Sequence, residues 1–180
     1  LGVLGPQGRG SVAQAGLGVT EVPILMGTLG EAVGTFGAFV AGCDERVDTL
    51  IQQARPDIYT TAPPPAVACS AHAALQRVRE DDWRREHLQR LITVFRGGAR
   101  QLGLSLCDSQ TPIQPLLVGE ASQALQLSQA LRDRGILISA IRPPTVAAGA
   151  SRLRITFSAA HGEAQVEQLL VALDDAGMAA

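Results

Sequence analysis

The segment Ile141-Arg142-Pro143-Pro144-Thr145-Val146, followed by Arg152-Leu153-Arg154-Ile155-Thr156, is the most informative part of this sequence. In its second half apolar and polar residues alternate, which predicts a β-strand. Leu153 and Ile155 should lie on one face of that strand, and Arg152 and Arg154 on the other. The two prolines of the first half exclude a regular helix there, so a turn is expected before the strand.

Apolar runs and amphipathic stretches alternate around this segment. The pattern predicts strands at 113–118, 137–141 and 153–157, and helices at 122–134 and 165–173. Alternation of this kind is typical of a small α/β layer with helices packed on one face of a sheet.

The first 65 residues are rich in glycine. Short apolar runs predict buried strands at 22–26 and 37–41. Helical spacing at 45–55 ends at Pro56. A helical pattern then runs from 66 to 102. We therefore expect three parts: 1–65, a long linking helix at 66–105, and a small domain at 106–180.

Composition narrows the classes of function. All 15 basic residues are arginine, and with 17 acidic residues the net charge is -2. No basic run suits nucleic acid, and no apolar run reaches the roughly 20 residues of a membrane-spanning helix. Cysteines and histidines do not occur in metal-ligand spacing, so no metal site is predicted. A cytoplasmic protein acting on small molecules is the simplest expectation.

Four segments carry a resemblance to a known family. They are Leu1-Gly2-Val3-Leu4-Gly5-Pro6-Gln7-Gly8-Arg9-Gly10, Met26-Gly27-Thr28-Leu29-Gly30-Glu31-Ala32-Val33-Gly34, Ile58-Tyr59-Thr60-Thr61-Ala62-Pro63-Pro64, and the 141–156 segment. Together they resemble the α-oxoamine synthases, which are fold-type-I pyridoxal-phosphate enzymes. The resemblance implies an α/β chain containing the end of the cofactor-binding large domain, at 1–65, and the small carboxy-terminal domain.

The resemblance also implies roles for individual residues. Thr28 falls on the threonine that binds the cofactor phosphate, and Glu31 falls on the Schiff-base lysine. Thr60 and Thr61 fall on hydroxyl residues that reach the phosphate of the neighbouring subunit, which implies a homodimer. Arg154 falls on the arginine that binds the amino-acid carboxylate. Arg142 and Thr145 should line the acyl-substrate end.

The Ile-Arg-Pro-Pro-Thr-Val form is most similar to the subgroup of 8-amino-7-oxononanoate synthases. That resemblance implies decarboxylative condensation of L-alanine with a pimeloyl thioester in biotin biosynthesis. A carboxylate such as Glu31 cannot form an imine, and the sequence contains no lysine, so this chain is expected to be inactive by itself. Two alternatives stay open: a sibling synthase that uses glycine or serine, and a non-catalytic subunit.

Overall fold

The chain forms two compact units. The computed structural model describes residues 1–178, and contacts between Cα atoms separate a first unit, Leu1–Trp83, from a second unit, Arg84–Ala180. The three-part division expected from the sequence stays a prediction, and its last two residues lie outside the described range.

The first unit is built around a two-stranded hairpin. Its elements in chain order are a 3-10 turn at Pro6–Gly8, helix α1 (Ser11–Gln14), strands β1 (Ile24–Thr28) and β2 (Ala38–Gly42), and helices α2 (Asp44–Gln53), α3 (Arg55–Ile58) and α4 (Pro65–Glu80). The strands are antiparallel, with Ile24 opposite Gly42 and Thr28 opposite Ala38. β1 begins two residues later than predicted, directly after Pro23, which has no backbone N–H to donate.

The prediction that the two strands of this unit are buried was wrong. Ile24 and Met26 are 55% and 67% exposed, and Val40 on β2 is 45% exposed. The sheet of this unit has only two strands, and no other element among the described residues covers the face that carries these side chains. An apolar run indicates a strand, but only neighbouring elements can bury it.

The helical stretch after residue 65 is interrupted. α4 ends at Glu80, and helix α5 (Asp82–Gln101) follows after Asp81, whose φ and ψ of -96° and 58° are not helical. Trp83 is the only nonpolar residue between Arg79 and Glu86. The spacing of apolar residues therefore could not predict that the helix is interrupted at Asp81.

The second unit contains a three-stranded sheet. After α5 come β3 (Ile113–Gly119), α6 (Ala121–Asp133), β4 (Ser139–Ile141), β5 (Ser151–Thr156), α7 (Glu163–Leu173) and a π turn at Asp174–Met178. These elements lie within about two residues of the predicted ones. The strand order is β3-β5-β4, and β5 is antiparallel to both neighbours. β5, which carries Arg154, is therefore the central strand.

The core of the second unit lies on one face of this sheet. Phe95 of α5 and Phe157, which follows β5, pack with ring centroids 5.2 Å apart. Gly98 allows α5 to approach α7, because a Cβ there would lie 2.3 Å from a methyl carbon of Leu170. The buried hydrophobic residues of the three helices are Leu88, Leu91, Ile92, Phe95, Ala99, Ala124, Leu127, Leu131, Val166, Leu169, Ala172 and Leu173. The helices therefore cover one face of the sheet, as predicted.

A polar network holds the segment that leads into β3. Gln114 is fully buried, and its side-chain N–H groups donate to the carbonyl oxygens of Ser109 and Thr111 at 2.9 and 2.7 Å. Arg96 donates to the Gln114 side-chain oxygen at 2.9 Å and to the carbonyl oxygens of Cys107 and Ser109 at 3.1 and 3.0 Å. These bonds tie α5 and the segment before β3 to the Gln114 side chain of β3.

No helix within residues 1–178 combines the length and the hydropathy that crossing a membrane requires.

Candidate functional site

The loop between β1 and β2 holds the first pair of predicted site residues. Its backbone is closed by hydrogen bonds from the Leu29 N–H to the Gly37 oxygen and from the Thr35 N–H to the Leu29 oxygen, both 2.9 Å. The Gly34 N–H donates to the Glu31 oxygen at 3.0 Å. Gly34 and Gly37 have φ values of 67° and 102°, which residues with a side chain rarely adopt. The loop conformation therefore depends on its glycines.

Thr28 and Glu31 are in direct contact in this loop. The Thr28 hydroxyl donates to the Oε2 atom of the Glu31 carboxylate. Both side chains are exposed, and within residues 1–178 no basic side chain forms an ion pair with Glu31. The hydroxyl predicted to bind a phosphate is thus bonded to a carboxylate of the same chain.

Thr60 and Thr61 lie between α3 and α4. Both are exposed, and the Thr60 N–H donates to the Asp57 oxygen at 3.3 Å in the turn that ends α3. Within the described part of the chain, neither side chain is hydrogen-bonded to Thr28 or Glu31. The structure therefore leaves the two hydroxyls free and does not join them to the hairpin loop.

Arg154 projects from the central strand of the second unit. It lies opposite Pro115 of β3 and Ser139 of β4. Leu153 and Ile155 are buried against the helices, whereas Arg154 is exposed on the opposite face. Its guanidinium has no hydrogen bond or ion pair with any residue of the described range. The side chain is free to bind an anion from outside this unit.

Arg152, two residues earlier on the same face, is already engaged. Its Nε donates to the Ala150 oxygen at 3.1 Å, and one terminal nitrogen lies 3.9 Å from the Cys107 sulfur. The alternating pattern placed both arginines on one face but could not separate them. The contacts leave Arg154 as the free guanidinium of the pair.

Arg142 and Thr145 occupy the turn between β4 and β5. Both side chains are exposed, and the Thr145 N–H donates to the Arg142 oxygen at 3.1 Å across the Pro143-Pro144 pair. No hydrogen bond among the described residues links either of them to Arg154. The turn presents a hydroxyl and a guanidinium on its outer surface.

A cavity that the sequence did not indicate borders Arg154. Its volume is about 540 Å³. It is lined by residues 135–139, by residues 154–157, by His161, and by Gln165, Val166, Gln168 and Leu169 of α7. Because the lining comes from three separate segments, no local pattern could have identified it.

Histidine contacts near this cavity are structural. The His161 Nδ1 accepts the Ser158 N–H at 3.1 Å, and the His161 backbone oxygen lies 2.8 Å from the His87 Nε2. The Gly162 N–H donates to the Gln165 side-chain oxygen at 2.8 Å at the start of α7. The contacts of His87 and His161 therefore hold the turn that precedes α7.

The residues present do not fit covalent attachment of pyridoxal phosphate. Attachment requires an amine to form an imine with the aldehyde. Position 31 carries a carboxylate, and no lysine exists in the 180 residues. The carboxylate also bonds to the Thr28 hydroxyl and adds negative charge beside the expected phosphate position.

Comparison with known proteins supplies the family. The chain is 60% identical over 175 residues to the 8-amino-7-oxononanoate synthase of Pseudomonas putida strain W619, covering 97% of this chain and 45% of that protein. It thus spans slightly less than half the length of the curated relatives it matches.

Solved structures agree with the predicted fold. The 8-amino-7-oxononanoate synthase of Francisella tularensis has a TM-score of 0.87 at 30% identity, over 97% of this chain and 51% of that one. A serine palmitoyltransferase from S. paucimobilis, solved with a bound aldimine of pyridoxal phosphate and myriocin, has a TM-score of 0.90 at 30% identity, over 98% and 45%. These matches confirm the pyridoxal-phosphate transferase type of fold.

The pattern of the family described as aminotransferase class I and II matches residues 3–173. The match includes the loop between β1 and β2, the segment between α3 and α4, and β5. The chain therefore belongs to the aminotransferase class I and II family.

Proposed function

We propose that these 180 residues are part of a pyridoxal-phosphate-dependent synthase of the 8-amino-7-oxononanoate type. The whole protein would condense L-alanine with a pimeloyl thioester, release carbon dioxide and serve biotin biosynthesis. The 60% identity to the Pseudomonas putida protein along 97% of the chain supports this proposal. The single structural observation that carries it is the unpaired guanidinium of Arg154 on the central strand of the second unit.

Arg154 is proposed to bind the carboxylate of the amino-acid substrate. A planar guanidinium can donate two parallel hydrogen bonds to a carboxylate, and a hydrogen bond to a charged group is worth about 1.5–3 kcal/mol. Within residues 1–178 no group forms a hydrogen bond or an ion pair with this guanidinium. Binding of a substrate therefore does not require an existing ion pair to be broken.

The other site residues are proposed to contact the acyl substrate and the cofactor phosphate. Arg142 and Thr145 would contact the acyl substrate, and their exposed positions in the β4–β5 turn support this role. Thr28 would face the cofactor phosphate. Thr60 and Thr61, exposed and unbonded at their hydroxyls, would reach the cofactor of a second subunit in a cytoplasmic homodimer.

The division into 1–65, 66–105 and 106–180 is proposed to follow the same architecture. The first part would complete the cofactor-binding domain, and the last part would form the small domain. The helical part would link these two domains. This chain would supply substrate contacts but no Schiff-base amine, because of Glu31. We therefore propose that it does not turn over by itself.

The proposal is tested by borohydride reduction after pyridoxal phosphate is added to the 180-residue chain, followed by peptide mass spectrometry. We expect no reduced adduct on any side chain. The variant Glu31→Lys should acquire an adduct at position 31, and the control Glu31→Gln, which removes the charge without adding an amine, should not. An adduct on a side chain of the unmodified chain would contradict the proposal.

Glu31 also favours a second candidate function, that of a non-catalytic partner subunit. Such a subunit needs a lysine-bearing homologue to supply the chemistry. Native mass spectrometry of the chain mixed with the full-length Pseudomonas putida relative tests this: a stable one-to-one complex supports it, and exclusive self-association of each protein contradicts it. A sibling synthase using glycine or serine has less support, since identity is 60% to the Pseudomonas putida 8-amino-7-oxononanoate synthase and 30% to the serine palmitoyltransferase.

A further inference from the structure

Thr28 and Glu31, in the loop between β1 and β2, together expose hydrogen-bond acceptors and no side-chain donor. The Thr28 hydroxyl donates its only hydrogen to the Oε2 atom of Glu31. A carboxylate accepts at both of its oxygens, and the hydroxyl oxygen keeps its lone pairs. We call these two side chains the acceptor pair, because they can accept hydrogen bonds from a ligand but cannot donate one.

The backbone of the same loop uses three of its N–H groups internally. The N–H groups of Leu29, Gly34 and Thr35 donate to the carbonyl oxygens of Gly37, Glu31 and Leu29. These hydrogens close the loop, so they are not available to an anion or to a carbonyl group of a ligand.

The charge of the first unit also favours a cationic ligand. Leu1–Trp83 contains nine acidic residues and five arginines. Glu31 is exposed, and no basic side chain within residues 1–178 forms an ion pair with it. A cation would therefore meet an uncompensated carboxylate in a unit of net negative charge.

The length of the Glu31 side chain indicates where such a cation would lie. Counted along the side chain, a carboxylate oxygen of glutamate is one atom closer to the backbone than the nitrogen of a lysine would be. The family resemblance places a lysine nitrogen at this position. The glutamate leaves that place empty, and a ligand can fill it with a nitrogen of its own.

We infer that the acceptor pair binds a primary ammonium group, and that this chain therefore prefers the amine form of the cofactor, pyridoxamine phosphate, to forms with an uncharged group at the same carbon. The inference rests on the proposed function, which places position 31 beside the cofactor. An aldehyde oxygen only accepts hydrogen bonds and would face a pair that also only accepts. An ammonium group donates three hydrogen bonds and carries the charge opposite to that of Glu31.

Equilibrium dialysis of the 180-residue chain against pyridoxamine 5′-phosphate and pyridoxine 5′-phosphate tests this inference. The two ligands share the ring and the phosphate, so phosphate contacts cancel in the comparison. They differ by an amine or a hydroxyl group at one carbon, and neither can form an imine with the amino terminus. We expect the amine ligand to bind at least threefold more tightly, a modest factor because the pair is exposed. Equal binding of the two ligands would overturn the inference.

Two matched variants test whether the preference comes from Glu31. Glu31→Gln keeps the side-chain length and removes the charge, and it should reduce the preference for the amine to less than 1.5-fold. Asp48→Asn removes one exposed carboxylate from α2 of the same unit and should leave the preference at threefold or more. An unchanged preference in Glu31→Gln would overturn the inference, because the attraction would then come from the net charge of the unit.

Glu31→Lys separates this inference from the proposed function. If that variant acquires the borohydride-reduced adduct at position 31 while the original chain shows no preference for the amine, the inference alone fails. If neither result is obtained, position 31 does not meet the cofactor, and the proposed function fails as well.

Discussion

Replacing Gln114 by leucine should lower the free energy of unfolding of the second unit by about 1.5–5 kcal/mol. Gln114 is fully buried on the helix-facing side of β3. Leucine has a similar volume, so the cavity contribution to the change is small. The dominant effect is the loss of three hydrogen bonds made by the amide group.

The magnitude follows from the partners of that amide. Two bonds, to the carbonyl oxygens of Ser109 and Thr111, join neutral groups, and their loss costs about 0.5–1.5 kcal/mol each. The third comes from the charged guanidinium of Arg96 and is worth about 1.5–3 kcal/mol. The added apolar side chain recovers roughly 1 kcal/mol of this. Arg96 keeps its bonds to two backbone oxygens, which limits the damage.

Ser151 provides a matched control, because it is also fully buried in the same sheet. Its hydroxyl has no hydrogen-bond partner within residues 1–178. Ser151→Ala should therefore change the unfolding free energy by less than about 0.5 kcal/mol, or raise it by up to about 1 kcal/mol. Urea unfolding followed by far-ultraviolet circular dichroism gives both values. A Gln114→Leu effect below that of Ser151→Ala would refute the reasoning.

Three further predictions concern the proposed site and its support. Arg154→Lys should leave the melting temperature of the second unit unchanged within about 1 °C, because the guanidinium makes no hydrogen bond or ion pair there. It should weaken alanine binding by the whole protein about 10–100-fold, because the fork geometry is lost. Calorimetry measures both quantities, and a lower melting temperature would contradict the first part. Gly27→Ala places a Cβ 2.6 Å from ring carbons of Phe39, so it should lower the free energy of unfolding of the first unit by about 1–3 kcal/mol in urea titrations, and an unchanged free energy would contradict this prediction. His161→Ala removes the acceptor of the Ser158 N–H. It should lower the free energy of unfolding of the second unit by about 1 kcal/mol in urea titrations, with no effect expected on the hairpin. A change below about 0.3 kcal/mol would contradict a structural role for this turn.

Local patterns predicted the elements well wherever packing agreed with them. The strands and helices after residue 113 lie close to their predicted bounds, because alternating or helical apolar spacing coincides there with a covered face. The pattern was insufficient at Asp81, where charged residues carry no periodicity, and at Leu137, which is 78% exposed although an apolar run predicted a strand.

In the candidate site, too, some features were predictable from the sequence and others were not. Residue type alone determined that position 31 cannot form an imine and that Arg152 and Arg154 share a face. The Thr28 bond to Glu31 and the engagement of Arg152 by Ala150 were not predictable, because each depends on how a loop closes.

The sequence by itself determined the order of the elements, the faces of β5, the absence of lysine and the family resemblance. These properties are local, since they follow from residue type and spacing along one segment. Only the tertiary structure decided that Ile24 and Met26 stay exposed, that Gln114 is buried, and that Arg154 is the free arginine. Burial and hydrogen-bond partners depend on segments distant in the chain, and no local pattern encodes which of those segments will meet.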